Sequence, residues 1–86
     1  MGEKAVDSVR TAEYDALLAV LKAARRAGNA TQRDLSLKMG KSFSYIAKIE
    51  KGTRRIDVVE FIEVATALGI DPNELFKQVT DQIATK

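Results

Sequence analysis

The sequence predicts an all-α protein, a compact bundle of five helices with a helix-turn-helix near its middle. Three observations carry this. Apolar residues recur at three- and four-residue intervals along most of the chain. A residue able to cap a helix precedes each apolar run, and a glycine follows each of the first four. No strand signal competes: Asn-Gly and Asp-Gly are absent, and polar and apolar residues nowhere alternate steadily. With 86 residues, the chain has room for one domain.

The first helix is expected from about Thr11 to Ala27. Thr11 caps it, Glu13 and Asp15 suit the positive end of the helix dipole, and Lys22, Arg25 and Arg26 load the negative end. Tyr14, Leu17, Leu18, Leu21 and Ala24 form its apolar stripe, and Gly28-Asn29 stops it. The second helix runs from about Gln32 to Met39, with Thr31 as cap, Asp34 completing a capping-box-like pair, and Leu35 and Met39 facing inward. Gly40 ends it. Ser42 is then the expected cap of a third helix over Phe43 to Lys51, with Ile46 and Ile49 inward and Gly52 as terminator. Thr53-Arg54-Arg55-Ile56 reads as a basic loop. Asp57 and Glu60 open the fourth helix as a capping box; Phe61, Val64, Ala65 and Leu68 are its inner stripe, and Gly69 stops it. Asp71-Pro72-Asn73-Glu74 is the strongest helix start in the chain, since Pro at the first helical position is already in helical φ. The fifth helix carries Leu75, Phe76, Val79 and Ile83 on one side. Residues 1–10 are expected to form a flexible N-terminus and 80–86 the end of the last helix and a frayed tail, which leaves 11–79 as the domain.

Composition excludes several chemistries. Without Cys there is no disulfide framework, thiolate nucleophile or thiolate zinc site, and without His no Ser-His-acid triad or imidazole ligand. No cofactor or metal is expected. Ser, Lys, Asp and Glu are present, but no clustered nucleophile and base and no phosphate loop, so the chain does not read as an enzyme. The longest apolar run, Ala16 to Leu21, is six residues, against ~20 for a membrane span. The first ten residues lack the apolar core of a signal peptide. The expected location is the cytoplasm.

The net charge is only +2, but its distribution is uneven. Residues 1–21 carry a net of −2 and residues 56–86 a net of −4. Residues 22–55 hold ten basic side chains against Asp34 and Glu50, a net of +8. Such a segment is either a solvated basic face or a footprint for a polyanion. Its internal pattern favours the second. Two short helices joined at Gly40-Lys41 make a helix-turn-helix, and the second helix of such a pair fits the DNA major groove, which is ~12 Å wide.

The stretch TQRDLSLKMGKSFSYIAKIEKGTRR resembles the Cro/repressor-type (XRE) helix-turn-helix family, which has the lambda-repressor-like fold. The likeness runs from about Leu17 to Phe76. Its marks are Thr31-Gln32; Leu35 with Met39-Gly40; Ser42, Ser44-Tyr45-Ile46 and Lys48-Ile49-Glu50 with Gly52; Phe61, Val64-Ala65 and Leu68-Gly69-Ile70; and Glu74-Leu75-Phe76. It departs from the family at Ser36, usually Ala, and at Phe43, usually polar or basic. Gly28 stands one residue earlier than the usual loop glycine.

The resemblance implies that the third helix, residues 42–51, enters the groove. Phe43, Ser44 and Lys48 then face base edges, with Ser42 at the margin. Ser44 and Lys48 are i, i+4 neighbours away from the Ile46/Ile49 stripe. Lys48 can donate to guanine, and Ser44 can bond to several bases; the alternative for both is plain exposure. Phe43 either favours a thymine methyl or closes the corner between helices two and three. By the family pattern Gln32 grips a backbone phosphate. Lys41, Tyr45, Lys51, Arg54 and Arg55 are further phosphate candidates, giving affinity without sequence information. For Tyr45 the alternative is a core residue, and for Arg55 a solvated charge. Arg25 and Glu50 match a family ion pair joining helices one and three; the alternative is two unrelated surface charges.

The function expected on this basis is sequence-specific binding of double-stranded DNA by a homodimeric transcriptional regulator, a repressor. Helices four and five form the acidic end, which repels phosphate, so Phe76, Val79 and Ile83 are candidate dimer contacts. The alternative for Phe76 and Val79 is cover for the monomer core. The competing function is an antitoxin-like adaptor that binds a protein partner through the C-terminal helix.

Overall fold

A computed structural model describes residues 11–85. It contains α1 (Ala12–Ala27), α2 (Gln32–Lys38), α3 (Tyr45–Lys51), α4 (Val58–Ala67) and α5 (Pro72–Ala84), and no strand among the described residues. The expectation for residues 1–10 lies outside them. The last helix runs to Ala84, with Thr85 as its C-cap.

Local chemistry sets four of the five helix starts. Thr11 and Thr31 hydroxyls accept the N–H of Tyr14 and Asp34 at 3.0 and 2.9 Å. Asp57 and Glu60 form a reciprocal capping box, and Asp71 accepts from Asn73 N–H at 2.8 Å just ahead of Pro72. Each bond satisfies an N–H that the first helical turn leaves without an internal partner.

The third helix corrects the sequence reading. It begins at Tyr45, with Ser44 at the cap position and no side-chain cap bond of its own. Ser42 is not the cap: its carbonyl accepts Tyr45 N–H at 3.1 Å, which closes a tight turn over residues 42–45. The orphan N–H of Ile46 is satisfied from α2, by Ser36 Oγ at 2.9 Å. The second helix likewise ends at Lys38, with Met39 as its C-cap. Gly40 follows at φ 74°, a left-handed turn that a Cβ would strain. At the end of α1 the left-handed residue is Asn29 (φ 59°) rather than the glycine before it. Asn tolerates this region better than most side chains.

The core joins Leu18, Leu21, Leu35, Ile46, Ile49, Phe61, Val64, Leu75 and Val79. α1 packs on α5 and α3, α2 on α3, and α4 on α5. Ile49 and Leu75 are fully buried; truncating either to Ala would cost ~2–5 kcal/mol. The position of Ile49 fixes what α3 can present: with one stripe locked inward, the opposite side of α3 must face out. No described helix is long and apolar enough to cross a membrane.

Candidate nucleic-acid interface

The outward side of α3 and the turn before it carry Ser42, Phe43, Ser44 and Lys48. Ser42 and Lys48 are exposed, and Ser44 is half-buried. Phe43 is 60% exposed, so it does not close the corner between α2 and α3. Instead the Arg33 guanidinium of α2 lies over its ring, 4.9 Å from the centroid.

Two helices, α1 and α2, meet α3 at Glu50. Arg25 of α1 is 8% exposed. Its Nε donates to Glu50 Oε2 at 2.6 Å, a second guanidinium nitrogen donates to Oε1 at 3.1 Å, and the third donates to Ala30 O at 2.8 Å. Gln32 Nε2 of α2 adds a bond to Glu50 Oε1 at 2.9 Å. Burial alone would raise the Glu50 pKa. The hydrogen bonds from Arg25 and Gln32 outweigh it and hold the carboxyl below its ordinary value. Gln32 thus faces inward to Glu50 in this structure. Ser36, wholly buried, ties α2 to α3 by donating to Gln32 O at 2.8 Å while accepting from Ile46 N–H.

Tyr45 belongs to the core, at 6% exposure, and its hydroxyl is buried without a formed hydrogen bond. Burial first, then the Glu60 carboxylate, raises its pKa. This corrects its place among the phosphate contacts: a phenol held inside cannot reach a strand. Its ring instead carries two cations, Arg54 at 4.8 Å and Lys41 at 5.4 Å. Lys51 is exposed in the last turn of α3.

The basic loop is pinned at both ends. The Lys48 carbonyl accepts the N–H groups of Thr53 and Arg54 at 3.0 and 3.2 Å. At the far end Ile56 N–H donates to the Tyr14 hydroxyl at 3.2 Å, and the Arg55 guanidinium lies 4.1 Å from the Tyr14 ring centroid. Arg54 is fixed by a two-pronged pair with Glu60, at 3.1 and 2.9 Å. Glu60 also accepts Asp57 N–H at 3.0 Å. Arg54 first, then that N–H, pulls the Glu60 pKa down to about 2.

Of the dimer candidates, Val79 is 4% exposed and belongs to the monomer core. It also lines the groove that Phe76 and Ile83 border. Phe76 is exposed and Ile83 half-buried. With Tyr14, Leu17, Val58 and Phe61 they line an apolar groove of about 380 Å³.

Sequence reading assigned no interface role to Arg33, Ser36, Tyr14 or Glu60. The first three act through contacts between segments distant in sequence or on different helices. Glu60 was legible only as half of a capping box, since its distance from Arg54 depends on how the loop bends.

The comparisons with known proteins agree with this geometry. A helix-turn-helix family model matches residues 21–75. An XRE-family like protein from Pseudomonas syringae pv. tomato str. DC3000 is 34% identical, with a TM-score of 0.78 over 92% of this chain and 96% of that one. The restriction-modification controller protein C.Esp1396I shares the fold at 22% identity and TM-score 0.78, covering 86% of this chain and 95% of that one. So does the clp gene regulator ClgR from C. glutamicum, at 22% identity and TM-score 0.75, over 90% and 100%. No curated protein sequence matches the chain significantly. More than half of the residues match the family model, and a 34%-identical relative aligns over nearly its full length: the chain belongs to the XRE-type helix-turn-helix family.

Proposed function

We propose that this protein is a transcriptional regulator that binds double-stranded DNA sequence-specifically as a homodimer and represses. The observation that supports it is the exposed side of α3, flanked by cations that are already positioned. Phe43, Ser44 and Lys48 present one apolar and two polar groups outward. Arg33, Lys41 and Arg54 stand against aromatic rings of α3 and the turn before it, and Arg55 against Tyr14 of α1. With α3 in the major groove, Lys48 donates to a guanine edge and Ser44 bonds to a neighbouring base, with Ser42 at the margin. Lys41, Lys51, Arg54 and Arg55 meet phosphates on either side. Gln32 Nε2 carries two hydrogens, so it can keep its bond to Glu50 and still donate to a phosphate. The Arg25–Glu50–Gln32 cluster fixes the angle of α3 against its scaffold.

A single α3 reads about half a helical turn, so specificity calls for two. The groove at Val58, Phe76 and Ile83 lies on the acidic part of the chain and is the face we assign to the second copy. A two-fold dimer spaces the two recognition helices ~34 Å apart on a near-palindromic site. Selection of bound duplexes from a random pool tests both parts. A palindromic consensus is expected; failure to enrich any duplex at low salt would overturn the proposal. On the selected site, Lys48→Ala is expected to lower discrimination against random DNA. Arg54→Ala weakens both duplexes alike. Equal losses for Lys48→Ala would remove its base-reading role.

A further inference from the structure

We infer that Arg33 and Phe43 together form one specificity element, which reads an adjacent thymine and guanine in the major groove. The inference rests on the DNA-binding reading and deepens it. Arg33 lies on α2 and is exposed. Its guanidinium stands 4.9 Å from the Phe43 ring centroid. Among the described residues it has no carboxylate partner, whereas Arg25 and Arg54 are each engaged by a glutamate.

This arrangement differs chemically from an ion pair. A ring covers one face of a guanidinium and leaves the N–H donors at its edge unused. The charge is not neutralised, and the guanidinium is restrained beside the ring before any ligand arrives. Phe43 keeps most of its own surface open at 60% exposure. An apolar plate and a planar fork of donors therefore stand side by side at the leading end of α3.

The major-groove edge of DNA offers the complement. Thymine presents a C5-methyl and no donor, which suits Phe43. Guanine presents two acceptors, O6 and N7, which a guanidinium meets with two parallel bonds. A phosphate would also accept from Arg33, but it has no use for the ring. Stacking on Phe43 draws the cation towards the groove-facing start of α3, where the bases are.

Base analogues test the pair without disturbing the fold. Wild type, Arg33→Ala and Phe43→Ala are titrated by fluorescence anisotropy on the duplex that wild type selects. That duplex is then remade with uracil for the thymine, which removes only the methyl, or with 7-deazaguanine for the guanine, which removes N7. The selected half-site is expected to contain the adjacent thymine and guanine. Arg33→Ala should lose roughly tenfold to a hundredfold on it and far less on a random duplex. Deazaguanine should weaken wild type but leave Arg33→Ala unchanged, and uracil should do the same for Phe43→Ala. Thermal melting confirms that both exposed-site variants fold. An equal loss on selected and random DNA for Arg33→Ala marks a phosphate contact and overturns the inference. So does a deazaguanine penalty that survives Arg33→Ala. If wild type retains no duplex at low salt, the DNA-binding reading falls and this one with it. If wild type binds its site and the analogues act independently of residues 33 and 43, only this inference falls.

Discussion

Glu50→Ala is the substitution with the largest expected effect for its size. It removes three hydrogen bonds, two from Arg25 and one from Gln32. More important is what remains. The Arg25 side chain is 9% exposed, and after the change it keeps Ala30 O as a partner but no counter-charge. Leaving one member of a buried pair uncompensated costs ~3–5 kcal/mol. A chain of this length has a total stability of about 4–13 kcal/mol. At roughly 4–8 °C per kcal/mol for a domain of this size, a 3 kcal/mol loss lowers Tm by roughly 12–24 °C. Circular dichroism melting at pH 7 measures it directly. The double variant Arg25→Met/Glu50→Leu replaces the pair by apolar side chains and should recover most of the loss, since desolvation offsets much of the pair's attraction. A Glu50→Ala protein that melts within ~4 °C of wild type, the shift for 1 kcal/mol or less, would refute the view that the Arg25 charge is held only by this carboxylate.

Three further outcomes follow from the same contacts. Glu60→Gln keeps an acceptor for Asp57 N–H but removes the charge facing Arg54; it should tighten DNA binding and steepen the log-salt slope by roughly one, and unchanged anisotropy titrations would show that Arg54 does not face the duplex. The folded-state pKa values of Glu50 and Glu60 both lie below the ordinary carboxyl value, Glu60 at about 2. Their contribution to stability is therefore complete above the ordinary value and is lost as pH falls through the folded one. Acid titration followed by thermal melts should show a falling Tm below about pH 4.5, with the Glu60 share small, ~0.2–1 kcal/mol, because Arg54 is 42% exposed. Gly28 has φ −86°, and an added Cβ would meet only ordinary contacts, the nearest at 3.6 Å; Gly28→Ala should raise stability by ~0.4–1 kcal/mol, and a lower Tm would show a strain not visible in the backbone.

How much of this was legible in the sequence depends on the range of each interaction. The caps at Thr11, Thr31, Asp57 and Asp71 reach only two or three residues along the chain, so the residue pattern alone reveals them. The start of α3 is different. Ser42 has the right residue type and position for a cap, yet the helix takes its missing acceptor from Ser36, ten residues away on another helix. The turn before α3 is thereby free to close on itself. The Arg25–Glu50 pair was visible through family spacing, but the third bond, from Gln32, was not, because it joins residues 18 apart on different helices. Tyr45 shows the same limit. Its place beside Ile46 allowed either a core or a surface role, and only the packing of Lys41, Arg54 and Glu60 around it decides the matter.

The five aromatic side chains divide by what lies against them. Phe61 and Phe76 pair edge-on with each other, 6.2 Å apart, on the acidic side of the fold. The other three, Tyr14, Phe43 and Tyr45, each lie beneath at least one cation of the basic segment. A carboxylate would hold those cations more strongly, but it would also cancel their field. A ring restrains a long side chain while leaving its charge and most of its donors available. The entropy of ordering an arginine, ~0.5–1.5 kcal/mol per side chain at an interface, is then partly met in the free protein. Arg54 is the exception that sharpens the comparison. It has both a ring and a glutamate, so its contribution to affinity should grow once Glu60 is neutralised, whereas Arg33, held by a ring alone, needs no such release.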